Sequence, residues 1–107
     1  MATFLNTTLD AISDVETIGY TSTNDSTIVL SILTANRDGG VAADITISQY
    51  SAGGSRESYL AFTVPCPADA NLEILSNKYI LPIVKTLRFS SSAIDFLDTN
   101  LSIVDVL

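Results

Sequence analysis

A chain of 107 residues, 47% of them apolar, has room for one domain with a continuous core and none for a second of ordinary size. Twelve acidic residues against five basic ones leave a net charge of −7 with no histidine, and the five cations, Arg37, Arg56, Lys78, Lys85 and Arg88, are scattered. That balance lacks the basic face that neutralises phosphates, so it argues against nucleic acid and anionic membrane as partners.

The first stretch, "MATFLNTTLDAISDV", has no basic segment followed by an apolar run, so it does not read as a secretory signal. No apolar stretch approaches the ~18 residues of a membrane helix. Residues 1–12 are expected to form an N-terminal arm or edge strand, in which Phe4 and Leu5 are candidate protein-contact residues. Beyond them, apolar residues recur with period two rather than with helical period. The alternation predicts strands near 3–8, 14–20, 27–35, 41–50, 57–64, 72–75, 78–81 continuing into 85–90, and 99–106.

In "STIVLSILTAN" the pattern places Ile28, Leu30 and Ile32 on one face; in "VAADITISQY" it places Ile45 and Ile47 opposite Asp44, Thr46 and Ser48. "ESYLAFTV" sets Leu60, Phe62 and Val64 against Tyr59, Ala61 and Thr63. "KTLRFSS" turns Leu87 and Phe89 away from Arg88, and "NLSIVDVL" aligns Leu101, Ile103 and Asp105. These runs are rich in β-branched and aromatic residues, which suit a pleated surface. Turn signals at Arg37-Asp38-Gly39-Gly40 and Ser51-Ala52-Gly53-Gly54-Ser55 predict two tight hairpins, the first through positive φ at its glycines. "SSAIDFLDTNL", residues 91–101, reads as a loop with at most one helical turn. Short, regularly punctuated strands predict an all-β fold, an antiparallel β-sandwich (jelly-roll-like) of about eight strands in one domain, residues 1–107.

Chemistry is scarce. Without histidine the chain cannot assemble a Ser-His-Asp or Cys-His arrangement, and one thiol is too few for a zinc site. The Gly-Gly pairs at 39–40 and 53–54 lack the lysine and helix of a phosphate loop. Asp95 with Asp98, or Asp10 with Asp14, are the available carboxylate pairs, and "NRDGG" and "LDTN" the available oxygen ligands for calcium. Acidic residues in Ser/Thr-rich loops are ordinarily solvated. No enzyme activity, cofactor or metal is therefore expected. Cys66 lies between Pro65 and Pro67 with no nearby cation to activate it, and is expected to be a small apolar filler where the chain crosses over after a strand ending at Val64.

That crossover carries a resemblance. "YLAFTVPCPADANLEILSNKYILPIVKTLRFSS" is similar to a stretch of the small β-sandwich structural proteins, decoration or accessory, in tailed bacteriophage virions, cyanophages especially. The matching residues are Val64-Pro65, Leu72-Glu73, Lys78 to Leu81, Leu87 to Ser91 and Ser102 to Val106; the likeness of pattern runs over roughly residues 26 to 107. Where that family usually has a glycine-containing turn, this chain has Pro82-Ile83-Val84-Lys85. An exposed Ile-Val turn marks Ile83 and Val84 as candidate contact residues.

The resemblance implies a non-enzymatic virion protein, assembled in the host cytoplasm. Its expected partners are copies of itself and phage proteins: the major capsid protein for a decoration or cement protein, neck or tail proteins for a neck, collar or tail-fibre component. Charged residues make up only 16% of the chain, against about a quarter in an average domain, which fits a surface partly covered by partners. An alternative of another class is a carbohydrate or host-surface binding module, for which Tyr20, Tyr50, Tyr59 and Tyr79 are the aromatic candidates.

Overall fold

The computed structural model describes residues 2–23 and 26–106. Nine strands form two antiparallel sheets: β1 (Ala2–Leu9), β2 (Thr17–Thr21), β3 (Ser26–Asn36), β4 (Ala43–Tyr50), β5 (Arg56–Cys66), β6 (Asn71–Glu73), β7 (Tyr79–Pro82), β8 (Thr86–Ser91) and β9 (Leu97–Val106). Sheet A runs β1-β9-β3-β6, with β7 also on β3; sheet B runs β2-β8-β4-β5. This is the strand order of an eight-stranded jelly roll whose sixth strand is cut in two. β6 pairs with residues 33–35 of β3 and β7 with 26–29, so the two pieces lie in line along one edge. Between them the Glu73 carboxylate turns back to accept from Ile32 N at 2.9 Å and Leu75 N at 3.2 Å, while Ile74 N donates to Ile32 O. A side chain thus stands in for a missing strand carbonyl.

The core lies between the sheets. Val29, Ile32, Ile45, Ile47, Leu81, Leu87, Phe89, Leu97 and Leu101 are fully buried, and Ile103 nearly so. Alternation holds in β8, where Leu87 and Phe89 face inward, and in β9, where Thr99, Leu101, Ile103 and Asp105 all do. It fails in two strands, each time at a bulge. In β3 the register shifts between Val29 and Ser31, so Val29 and Ile32 share the core face and Leu30 is turned out. The expected Ile28-Leu30-Ile32 face is therefore corrected. In β5 register shifts against β4 put Ala61 inward and leave Phe62 60% exposed, so Leu60, Phe62 and Val64 do not form one face. Thr63, at φ 49°, marks the bulge, and its N–H donates to Thr46 Oγ1.

Three further expectations change. The Arg37–Gly40 segment is no hairpin: β3 and β4 lie in different sheets, and Gly54 is the glycine with positive φ among the described residues. Side chains shape that arch instead, Asn36 donating to Val41 O and Cys66 O and Asp38 accepting from Gly40 N and Val41 N. Residues 78–81 and 85–90 belong to different sheets, joined by a turn at Pro82–Lys85. And β9 begins at Leu97, inside the expected loop. The second hairpin, β4–β5 across Ser51–Ser55, forms as expected.

β2 carries its own bulge at Gly19, whose Cα faces the Phe89 ring so closely that a methyl group there would run into Cδ1 and Cε1. Gly19→Ala is expected to lower stability by about 1–3 kcal/mol through overpacking, read as a shift of the urea midpoint at unchanged slope.

Candidate functional site

The groups capable of chemistry are dispersed or engaged. Cys66 is fully buried at the end of β5, its Sγ near Thr34 O and Ala70 O. Burial pushes its thiol above the ordinary value, so the reactive thiolate is suppressed at neutral pH. β5 reaches two residues past Val64, with Pro65 opposite Asp44 and Cys66 opposite Ala43; as an edge strand it tolerates the prolines. The chain then crosses to β6 in the other sheet, the filler position expected for Cys66.

One carboxylate of each expected pair, Asp10 and Asp98, lies beside Arg37, while Asp14 accepts from Ser13 Oγ. Asp10 lies 3.4 Å from Arg37 Nη1, Asp98 Oδ1 4.0 Å from Arg37 Nε, and the backbone carbonyl of Asp95 accepts from Nε at 2.8 Å. Asp98 also accepts from Ala11 N at 2.7 Å. The arrangement pins the β1–β2 connection to the start of β9. Among the described residues no group of three or more His, Cys, Asp and Glu side chains is placed to hold a metal ion.

Three of the four tyrosines are tied into the sandwich. Tyr20 Oη donates to Asp105, whose carboxylate also accepts from Thr27 Oγ1, and Ser22 and Thr27 share a hydroxyl contact of 2.7 Å. Burial, then the Asp105 carboxylate, pushes the Tyr20 phenol above its usual value. Tyr50 donates to Glu16 at 2.5 Å with Arg88 stacked 4.0 Å over its ring, and this bond holds the Glu16 carboxyl below the usual range. Tyr79 donates to Gln49. Only Tyr59 among them is largely exposed, against Phe62 and Arg56 and on a shallow groove of about 340 Å³ shared with Ser58, Asn77, Lys78 and Tyr79.

What remains is surface. Ile83 and Val84 are 44% and 50% exposed in the β7–β8 turn, and Val84 adopts φ 63°, a left-handed conformation costly for a β-branched residue. The glycine absent from the sequence thus marks the position where the backbone calls for one. Bonds between Val84 N and Ser22 O, and between Ser22 N and Lys85 O, clamp the turn. Phe4, 78% exposed, points outward from β1; Leu5, next to it and opposite the buried Ile103, points to the core side and is 39% exposed at the sheet margin. The turn follows β7 at one edge of sheet A, and β1 forms the other edge, so the four candidates do not form one cluster.

A row between those edges was not visible in the alternation. Phe4 pairs with Val104, Val104 with Ile28, and Ile28 with Ile80, so four apolar side chains cross the outer face of sheet A in register. Ile80 is 65% exposed and Val104 9%. Each strand contributes one residue, so no single stretch of sequence carries the signal.

No family model matches the chain, and neither does any curated protein. Solved structures do. A protein of the T13 particle of infectious bursal disease virus superposes with TM-score 0.58 at 10% identity, over 96% of this chain and 30% of that one. VP2 of the subviral particle of the same virus gives 0.55 at 11% identity, over 97% and 33%. A protein of disulfide-linked pili, the endospore appendages of Bacillus, gives 0.58 at 13%, over 100% and 88%. The chain thus spans about a third of the viral proteins and most of the pilus protein. At these identities the likeness is one of fold, an antiparallel β-sandwich also used by virus-particle proteins.

Two outcomes are expected. Val84→Gly should raise stability by about 1 kcal/mol, relief of the left-handed strain being partly offset by the greater chain entropy of glycine, measured by urea denaturation. Cys66 should react with a thiol-specific disulfide reagent only as the chain unfolds, its labelling tracking the denaturation curve.

Proposed function

We propose that the chain is a non-enzymatic structural component of a virus particle, and specifically a capsid decoration or cement protein of a tailed phage that binds the major capsid protein. The observation that carries this reading is the jelly-roll strand order, set beside a surface that exposes large apolar side chains on β1, β7 and the β7–β8 turn. Solved structures with this sandwich include proteins of virus particles, which supports a structural role in the virion. The resemblance in pattern of the crossover and its flanking strands to small phage virion proteins is what favours the tailed-phage assignment. Reactive groups are engaged in the scaffold: Cys66 is buried, and the carboxylates near Arg37 hold backbone and guanidinium.

A second reading, a neck, collar or tail-fibre component, has in its favour the Bacillus pilus protein, which this chain matches over nearly its whole length and which builds an extended appendage. Sugar binding has the Tyr59 groove as its one remaining site.

Purified particles separate these readings. Quantitative mass spectrometry together with immunogold labelling is expected to find the chain on the head, in copy number comparable to the major capsid protein. Labelling confined to neck or tail would support the second reading, and absence from purified particles would overturn both.

A further inference from the structure

The outer faces of the two sheets differ in kind. That of sheet B carries Asp44, Arg88 and, over Ser48 and Tyr50, Glu16, an array of charge and hydrogen bonds beside the exposed Ile18, Tyr59 and Phe62. That of sheet A is different from its Phe4 row onward. The first row is Phe4, Val104, Ile28 and Ile80; the next holds Asn6 and Ser102 opposite the Leu30-Ser31 bulge; the third holds Thr8, Asn100, Leu33 and Glu73. Only Glu73 in these rows is charged, and its carboxylate is turned back onto Ile32 N and Leu75 N. Charge reappears one row further on, where Asp98 meets Arg37. In a chain of net charge −7 this face is nearly free of charge, with its apolar row towards the end where β1 starts and β9 finishes.

We infer that a second copy of this chain packs face to face on the outer surface of sheet A, with Phe4, Val104, Ile28 and Ile80 as the apolar row of the contact. The inference deepens the structural, self-assembling role proposed above and rests on it. Three features select a copy of the same chain as the occupant. Two copies that each carry −7 repel one another, so they can meet closely only where neither brings free carboxylates, and this face meets that condition on both sides. A basic partner would instead be drawn to the acidic surface elsewhere.

The row is also self-complementary. A two-fold axis lying in the plane of contact and running between β9 and β3 sets Phe4 of one copy over Ile80 of the other, and Val104 over Ile28. The two most exposed side chains of the row, 78% and 65%, then cover one another, with Val104 and Ile28 between them. Sheets packed this way run about 30° apart at a spacing of about 10 Å. Finally, the size is right. Four strands at about 4.8 Å and a ten-residue β9 give a face on the order of 600 Å², near the ~800 Å² that each partner of a standard interface buries. An apolar row flanked by Asn, Ser and Thr has a composition common in such interfaces.

The test uses the 107-residue chain and three variants: Phe4→Asp, Ile80→Asp and, as a control of equal charge off this face, Val41→Asp in the β3–β4 arch, 54% exposed. Circular dichroism and thermal melting check that each folds; all three sites are exposed, so folding should survive. Sedimentation velocity at micromolar concentration is expected to show a dimer for the unaltered chain and for Val41→Asp. Phe4→Asp and Ile80→Asp should each weaken the association at least about 10-fold. A monomeric unaltered chain, or a dimer indifferent to both face variants, overturns the inference, as does equal weakening by Val41→Asp. The same variants scored for incorporation into particles keep the two claims apart. A chain that is monomeric yet present in particles removes this interface and leaves the structural role standing; a dimer absent from particles does the reverse.

Discussion

The antiparallel pairing of β3 with β9 is the constraint on which the rest of the molecule hangs. It joins residues 26–36 to residues 97–106, well over half the chain apart, and every other strand of sheet A attaches to one of the two. β1 adds to the far side of β9, and β6 and β7 to the far side of β3. Closing so long a loop costs conformational entropy before any burial repays it. The return comes from the inner row of β9, where Leu97, Thr99, Leu101 and Ile103 lose nearly all contact with water against sheet B. At the end of that row Asp105 is buried with hydroxyls from both sheets, Tyr20 from β2 and Thr27 from β3. A buried carboxylate is tolerable only when its lone pairs are met, so this cluster favours one seating of sheet A on sheet B over its neighbours.

Bulges then decide what that sandwich shows to the outside. In β3 an extra residue at Leu30 brings Val29 and Ile32 onto the core side; in β5 the shift near Thr63 turns Phe62 outward. The same economy appears where strand pairing stops between β6 and β7 and the Glu73 carboxylate completes the ladder to Ile32. Each device bends an edge or re-aims a side chain without disturbing the core. The strained turn at Val84 belongs with them: a β-branched residue is held left-handed, and apolar, at the surface. Strain retained at an exposed position is common where a surface has a role.

The functional picture follows from where polarity was spent. The hydroxyl and carboxylate groups that could have made an active centre are consumed in fastening loops and sheets, as Asp98, Glu16 and Asp105 illustrate. A thiol buried under Ala70 and Thr34 packs rather than reacts. What the surface offers is two unlike outer faces, one carrying Asp44, Arg88 and Glu16 beside the exposed Ile18 and Phe62, the other nearly free of charge. Proteins of this kind act by being placed in quantity against other surfaces, which is the role proposed for this chain.

Strand positions were legible residue by residue, because period-two alternation and turn residues are local properties of the chain. So was the inertness of Cys66, since an activating histidine is absent from the sequence and the flanking prolines cannot extend a central strand. The inward row Leu101, Ile103 and Asp105 was legible for the same reason. Which sheet a strand joins was not. Arg37-Asp38-Gly39-Gly40 looks like a hairpin, and residues 78–90 look like one strand in two parts. Both instead change sheets, because partner choice depends on burial against residues far off in sequence. The apolar row from Phe4 to Ile80 was beyond the reach of any local pattern, one residue coming from each of four strands separated by up to a hundred positions. Sequence alone therefore determined the material, an all-β chain without histidine and with one thiol. Tertiary structure decided the faces, because register between distant strands is settled only when the two sheets close on a common core.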